Sequence, residues 1–186
     1  MGNNSWNGYE HNCLFANTGD GEQFIEIARP AGADQVKDSR GVAIADLDGD
    51  GRLDLAINNN NRQPTLYFNE FAREGSWLTL KLVGSQSNRS AIGAQVRLRV
   101  GDKVMTRQVE AGSGFSAQAM LPVHFGLGPN RVIDEITITW PSGQEQHFDG
   151  VHWATTYGLN RLVHITEGAA LTALDALTAS EPGQIE

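Results

Sequence analysis

The pattern of the first 165 residues limits the fold of this chain more than any other feature, because short alternating runs are separated there by turn-forming residues. Glycine, asparagine, aspartate and proline punctuate the runs, and 21 glycines supply the backbone freedom that tight turns need. Apolar residues spaced by three or four, the sign of a helix, are nearly absent there. We therefore predict an all-β protein, mostly antiparallel, with a sandwich or a barrel-like domain.

Three segments carry the clearest strand signal. At residues 95–100, aliphatic side chains share one face, while Gln and Arg share the other. A tight turn at Gly101 predicts a hairpin to a strand at 103–110. Residues 133–140 alternate in the same way, and the next turn predicts a return strand at 144–148. Further strands are predicted at residues 14–17, 23–28, 41–45, 53–57, 66–69, 76–83, 123–125 and 162–166.

The chain is acidic, with a net charge of -8 and a pI near 5.1. Nucleic acid binding needs a clustered positive face, so this balance argues against a nucleic-acid partner and suits metal cations instead. Cys13 is the single cysteine, which excludes an internal disulfide framework and a thiolate zinc cluster. We expect it to be a small buried apolar side chain.

The sequence contains no run of about 18 or more apolar residues, so no membrane-spanning helix is predicted. The first six residues lack the basic start and apolar stretch of a signal peptide. Either the protein is cytoplasmic or its leader has been removed, and we favour the second alternative.

Composition divides the chain into three parts. The first, residues 1–72, is rich in Asn and Asp, and the second, residues 73–168, carries the long alternating strands. In the third, residues 169–186, leucines spaced by three on an alanine-rich background predict a short C-terminal helix at 169–179 and a loose tail.

The segment DLDGDGRLD, from Asp46 to Asp54, gives the strongest functional signal. It places carboxylates at relative positions one, three, five and nine, with a glycine at six. Calcium prefers six to eight oxygen ligands at about 2.3–2.6 Å, and a tightly turning backbone can aim such side chains at one centre. We therefore predict one Ca2+ ion, bound by the side chains of Asp46, Asp48, Asp50 and Asp54 and by the carbonyl of Arg52.

An Asp/Gly turn without a metal is the alternative interpretation of this loop. Its carboxylates would then only accept hydrogen bonds from backbone amides. Position twelve is Ile57 rather than the glutamate of an EF-hand, but four acids within nine residues would repel one another without a cation. Magnesium is disfavoured by its stricter octahedral geometry. Residues 17–21, around Asp20, predict a hairpin turn or a second ion site, and residues 58–61 predict a polar turn.

Several motifs together resemble a known family. Residues 12–21, 41–51 and 54–55 resemble the FG-GAP or VCBS repeat of calcium-binding β-propellers. From residue 77 onward the chain looks like the ASPIC/UnbV domain of the cartilage acidic protein-like bacterial family. The motifs of this second likeness are SNRSAIGA at 87–94, GSGF at 112–115, HFGLG at 124–128 and WPSG at 140–143.

This resemblance implies calcium ligands at Asp46, Asp48, Asp50 and Asp54, and an extracellular or cell-surface setting, with the periplasm as an alternative. It implies no catalytic residue. A propeller needs about four to eight blades to close, and residues 1–72 hold material for about one. The open strand edges of this part must therefore pack on the second part, pair with another chain or belong to a longer protein.

Side chains outside the aspartate loop give little sign of catalysis. Ser113 lacks the spacing of a nucleophile elbow and predicts a turn. His124 and His164 fall in predicted strands, as hydrogen-bonded residues, and no histidine pair has metal-ligand spacing. Trp153 and Tyr157, like the other Trp and Tyr residues, are more often core or interface residues than sugar platforms, but they flank a Thr-rich loop and are the pair to test for exposure. A positive stripe on one sheet face, either solvated or facing an anionic glycan or an acidic partner, could be formed by Arg89, Arg97, Arg99, Lys103 and Arg107.

These observations favour a calcium-stabilised, non-catalytic recognition or adhesion module that binds a protein or glycan partner. One alternative is an enzyme or accessory factor in small-molecule biosynthesis, which would need a deep pocket with convergent polar groups. Another is a structural subunit of a larger assembly that docks through open strand edges and the C-terminal helix, or an oligomer joined through open strand edges. The sequence leaves the ligand and the oligomeric state open.

Overall fold

The computed structural model describes residues 10–19, 21–72 and 75–170. This part of the chain forms twelve strands and one helix, and no sheet in it closes into a barrel. The all-β prediction is confirmed, since every predicted strand segment overlaps an observed strand. The elements are β1 (Phe15–Asn17), β2 (Phe24–Glu26), β3 (Ser39–Ala45), β4 (Asp54–Asn59), β5 (Thr65–Tyr67), β6 (Ser76–Val83), β7 (Gln95–Val100), β8 (Lys103–Gln108), β9 (Val123–Gly128), β10 (Glu135–Thr139), β11 (Glu145–Asp149), α1 (Gly150–Thr156) and β12 (Arg161–Thr166).

Strands β6 to β12 build a sandwich of two sheets. One sheet has the order β11-β10-β7-β8 and is antiparallel throughout. The other has the order β12-β6-β9, in which β6 pairs antiparallel with β9 and parallel with β12. Side chains from both sheets share one buried core, which includes Leu80, Leu98, Phe125, Ile138 and Val163.

The strands before residue 72 form two smaller antiparallel sheets, the hairpin β1-β2 and the three-stranded sheet β3-β4-β5. The three-stranded sheet is apolar on both faces, with Ile44 and Leu55 on one and Leu66 on the other. Cys13, just before β1, is exposed, so the expectation that it is buried is wrong. Ten large apolar side chains of this part are 40–65% exposed: Phe15, Phe24, Ile25, Val36, Val42, Ile44, Leu47, Leu66, Phe68 and Phe71.

The outer edge of β3 is covered by the loop between β8 and β9. Met120 N donates a hydrogen bond to the carbonyl oxygen of Ile44 (3.0 Å). A Cβ at Gly41 would lie 3.0 Å from the carbonyl oxygens of both Phe115 and Ser116. At this edge the first part of the chain therefore packs on the second, which was one of the three alternatives. The predicted division near residue 72 falls between β5 and β6, and the division of the chain into domains stays a prediction.

The helix α1 was not predicted, and it accounts for the burial of two aromatic residues. Trp153 and Tyr157 are 1% and 2% exposed, with ring centroids 5.0 Å apart, so both are core residues and not exposed platforms. They are buried because α1 packs its aromatic side against the core. The predicted helix at 169–179 lies outside the described residues, apart from Ala169 and Ala170, which are not helical. No described helix is long and apolar enough to cross a membrane.

The predicted positive stripe is also wrong, because its members lie on different faces. Arg107 pairs with Val96 across the β7-β8 ladder and so shares the face of the core residues. Arg97 and Arg99 lie on the opposite face. There Arg99 forms ion pairs with Asp134 and Glu135, at 3.6 and 3.5 Å.

Candidate metal centre

The aspartate loop, residues 46–53, connects β3 to β4 at one end of the three-stranded sheet. Ala45 pairs with Asp54, so the two strands hold the ends of the loop together. Gly49 and Gly51 have φ angles of 77° and 85°, which L side chains rarely adopt. Because these glycines let the backbone turn sharply twice, alternate aspartates come together.

Three carboxylates meet in this loop. Asp46, Asp48 and Asp50 each offer one oxygen, and these oxygens lie within 4.8 Å of one another. Two oxygens on opposite sides of a calcium ion, each about 2.3–2.6 Å from it, stand about 4.6–5.2 Å apart. The spacing and the hard oxygen chemistry of this donor set therefore fit one Ca2+ ion.

Backbone amides of the loop orient the carboxylates. Gly51 N donates to Asp46 Oδ2 (2.9 Å), and Asp50 N donates to Asp48 Oδ1 (3.2 Å). Arg52 N donates to Asp50 Oδ1 (2.7 Å). These are the contacts of an amide-capped turn, and a carboxylate oxygen that accepts one such bond can still bind a cation, because each oxygen has two lone pairs.

The negative charge of the loop is only partly balanced. Burial raises the pKa of Asp46, and the charges of Asp50 and Asp48 raise it further, although hydrogen bonds from backbone amides oppose the shift. The guanidinium of Arg52 pairs with the carboxylate of Asp50. One positive charge beside three carboxylates leaves a local field that attracts a cation.

Asp54 lies apart from the three-carboxylate cluster. It is 2% exposed, and its carboxylate accepts hydrogen bonds from Leu47 N and Asn69 N, both at 2.8 Å. This buried group ties the start of the loop to the segment after β5. The structure therefore brings together three of the four predicted carboxylates. Ligand roles for Asp54 and for the carbonyl of Arg52 stay predictions.

Among the described residues, the side chains of Asn17 and Asn59 in the other polar turns form hydrogen bonds to residues outside the aspartate loop. Strands β1 and β2 pair on either side of the predicted hairpin turn, where Asn17 Oδ1 accepts from Gly19 N (2.7 Å). Asp20 lies outside the described residues, so a second ion site there stays a prediction. Asn59 is buried at the far end of β4 and donates to the carbonyl oxygen of Gln63 (2.9 Å).

One contact of the aspartate loop could not be predicted from the sequence. Gly51 is buried against the indole ring of Trp77, at the start of β6. A glycine often marks a place where the backbone approaches another group closely. The sequence offers this general signal, but it does not show which residue approaches Gly51.

The candidate reactive side chains have structural partners. Ser113 Oγ accepts a hydrogen bond from Ala119 N (3.2 Å) within the β8-β9 loop. Thr79 Oγ1 lies 2.8 Å from His124 Nδ1, and burial, with the nearby charge of Arg107, lowers the pKa of His124. These contacts agree with the turn and the hydrogen-bonded strand histidine that the sequence predicts.

Both parts of the chain match models of known families. An FG-GAP-like repeat model matches residues 4–57, and an ASPIC and UnbV model matches residues 84–171. Cartilage acidic protein 1 of Xenopus tropicalis is 30% identical over 129 residues, covering 66% of this chain and 20% of that protein. Cartilage acidic protein 1 of Homo sapiens is 29% identical over 129 residues, covering 67% and 19%.

The chain thus spans about a fifth of the length of these curated relatives. The two models match in the order that the sequence motifs indicate, repeat first and domain second. This chain therefore carries an FG-GAP-like repeat followed by an ASPIC and UnbV domain.

Proposed function

We propose that this chain is a calcium-stabilised, non-catalytic recognition module of an extracellular or cell-surface protein. The observation that carries the proposal is the meeting of the Asp46, Asp48 and Asp50 carboxylates, with oxygens within 4.8 Å of one another. A bound Ca2+ ion would neutralise their repulsion and hold the loop in one conformation. The role of the ion is structural.

The chemistry of the donors favours calcium over other common cations. The cluster offers carboxylates, whereas zinc prefers nitrogen and sulfur ligands. Mg2+ demands nearly ideal octahedral geometry at about 2.0–2.1 Å and retains its waters. Ca2+ accepts the more irregular arrangement that a short loop offers.

The surface of the repeat favours a protein as the recognised partner. Large apolar side chains are exposed on both faces of the β3-β4-β5 sheet, for example Ile44 and Leu66. Monomeric proteins rarely expose large contiguous apolar patches, and such patches commonly mark protein interaction sites. The extracellular setting rests on the FG-GAP-like repeat and on the likeness to cartilage acidic protein 1.

Thermal unfolding with EDTA, with excess calcium and with excess magnesium tests the metal site. A cation present at about one hundred times its dissociation constant adds about 2.7 kcal/mol to the free energy of unfolding. We expect a large rise in Tm with calcium and a small one with magnesium. The double variant Asp48→Ala, Asp50→Ala should lose the rise, and Asp102→Ala, in the exposed β7-β8 turn, should keep it. Equal Tm values in EDTA and calcium would contradict the proposal.

The same exposed faces also suit a structural subunit of a larger assembly. Sedimentation velocity separates the two functions, because a subunit that assembles with itself grows in size with protein concentration. A recognition module that binds a different protein keeps a constant size at all concentrations when that partner is absent.

A further inference from the structure

The aspartate loop contacts the sandwich at Gly51. Gly51 is buried, and a Cβ at this position would lie 2.1 Å from both Cε2 and Nε1 of Trp77. No side chain fits in that space, so the backbone of the loop is in direct contact with the indole ring. The φ angle of 85° at Gly51 adds a second reason for glycine.

Trp77 is itself held firmly by the sandwich. Its backbone N donates to Asn160 Oδ1 (3.0 Å), and its carbonyl oxygen accepts from Asn160 N (2.8 Å). Its ring stacks on His124, with centroids 5.8 Å apart and planes at 25°. Trp77 is 7% exposed, and its buried Nε1, which lies against the loop, has no hydrogen-bond partner among the described residues.

The contact lies within the ligand cluster rather than at its border. Gly51 N donates to Asp46 Oδ2 (2.9 Å), and Gly51 directly follows Asp50. A small displacement of Gly51 therefore moves two of the three carboxylates. Conversely, a cation that fixes these carboxylates also fixes the backbone that touches Trp77.

We propose that Trp77 is a positioning residue for the cation site, and that the bound cation fixes the FG-GAP-like repeat against the sandwich through the Gly51–Trp77 contact. This inference rests on the proposed function, because it requires that the aspartate loop binds calcium. It adds a coupling between the two parts of the chain, which the metal site alone does not require.

Calorimetric titration with CaCl2, with tryptophan fluorescence followed in parallel, tests this coupling. We expect calcium to change the fluorescence of the unmodified chain and of the control Trp140→Phe. Trp140 is buried in the core directly after β10. Trp77→Phe should lose that change and bind calcium about ten- to one-hundredfold more weakly, as is typical when residues that orient metal ligands are altered. Circular dichroism checks that both variants fold.

Two glycines of the same loop give a second, independent comparison. Gly49→Ala and Gly51→Ala both introduce a side chain at a positive φ, but only the Gly51 methyl would collide with Trp77, since nothing lies within 4 Å of a Cβ at Gly49. We expect Gly51→Ala to weaken calcium binding more than Gly49→Ala does. When Gly51→Ala and Trp77→Ala are combined, their losses in calcium affinity should not add, because the methyl then has room and the contact is already absent.

The outcomes separate this inference from the proposed function. If calcium binds with unchanged affinity to Trp77→Phe and the two glycine variants behave alike, the coupling is wrong and the metal site stands. If calcium binds to none of the chains, both proposals are wrong. Should Trp77→Phe fail to fold, the comparison of Gly49→Ala with Gly51→Ala decides.

Discussion

At the scale of single residues, the carboxylate of Glu167 gives a structural role to Ser87 and Ser142, which belong to the motifs at 87–94 and 140–143. Its carboxylate, 3% exposed, accepts hydrogen bonds from three successive backbone amides, of Ser85, Gln86 and Ser87, at 2.7–2.8 Å. The hydroxyls of Ser87 and Ser142 donate to it as well. Burial by itself would raise the pKa of Glu167, but these hydrogen bonds outweigh it and lower the pKa to about 2. These serines therefore stabilise a fixed charge, a structural role.

The lowered pKa of Glu167 predicts a specific acid sensitivity. A pKa of about 2 in the folded state, against 4.5 ordinarily, means that the stabilisation is complete above about pH 4.5 and is lost as the pH falls toward 2. We expect Glu167→Gln to lower Tm at neutral pH and to flatten the fall of Tm between pH 4.5 and 2. Glu110→Gln, at an exposed position, should follow the unmodified chain. Parallel curves for all three chains would contradict this role.

The backbone around Gly150 leaves no room for a side chain. A Cβ there would lie 1.8 Å from the carbonyl oxygen of Ile133, which is backbone and moves little. We expect Gly150→Ala to lower the free energy of unfolding by about 1–3 kcal/mol, the usual range for overpacking. Gly126→Ala is the control, since nothing lies within 4 Å of a Cβ there. Urea unfolding of the two variants gives the comparison, and equal losses would contradict the steric cause.

At the scale of elements, local pattern predicts individual strands but not every pairing. β7 was predicted to the residue, because burial alternates along it as the sequence does. The parallel pairing of β12 with β6 was not predicted, since the strands are far apart in sequence and their pattern suits either direction. The helix α1 was missed because its seven residues are too few to show helical periodicity, and its burial depends on packing against the core.

The N-terminus of α1 gives a prediction at this scale. Asp149 is the N-cap, and its Oδ1 accepts a hydrogen bond from His152 N (2.8 Å). We expect Asp149→Ala to lower the free energy of unfolding by about 0.5–2 kcal/mol, the usual loss for an N-cap. Asp149→Ser should retain most of the stability, because a serine hydroxyl also accepts that bond. Urea unfolding measures both, and an equal loss in the two variants would show that capping is not the cause.

At the scale of the whole molecule, contacts between distant segments determine how the repeat and the sandwich join. The carboxylate cluster of the aspartate loop could be identified from sequence because its three aspartates are close neighbours in the chain. Its contact with Trp77 and the bond between Met120 and Ile44 join segments that no local pattern connects. The position of Asp54 outside the three-carboxylate cluster likewise depends on Asn69, which reaches it from beyond β5. The spacing of the aspartates could therefore predict the carboxylate cluster, but not the contacts that hold it against the sandwich.

The exposed apolar faces of the β3-β4-β5 sheet give the last prediction. The continuous apolar run at 42–45 is typical of a strand covered on both faces, yet both faces of this sheet carry exposed side chains. We expect the chain to bind an apolar dye such as ANS, because such faces bind apolar molecules when no partner covers them. Replacing Ile44 and Leu66, one on each face, by threonine should reduce the dye fluorescence and keep the strands, since threonine favours β structure. Val104→Thr, at an exposed position on β8, is the control, and an equal reduction there would show that the dye binds elsewhere.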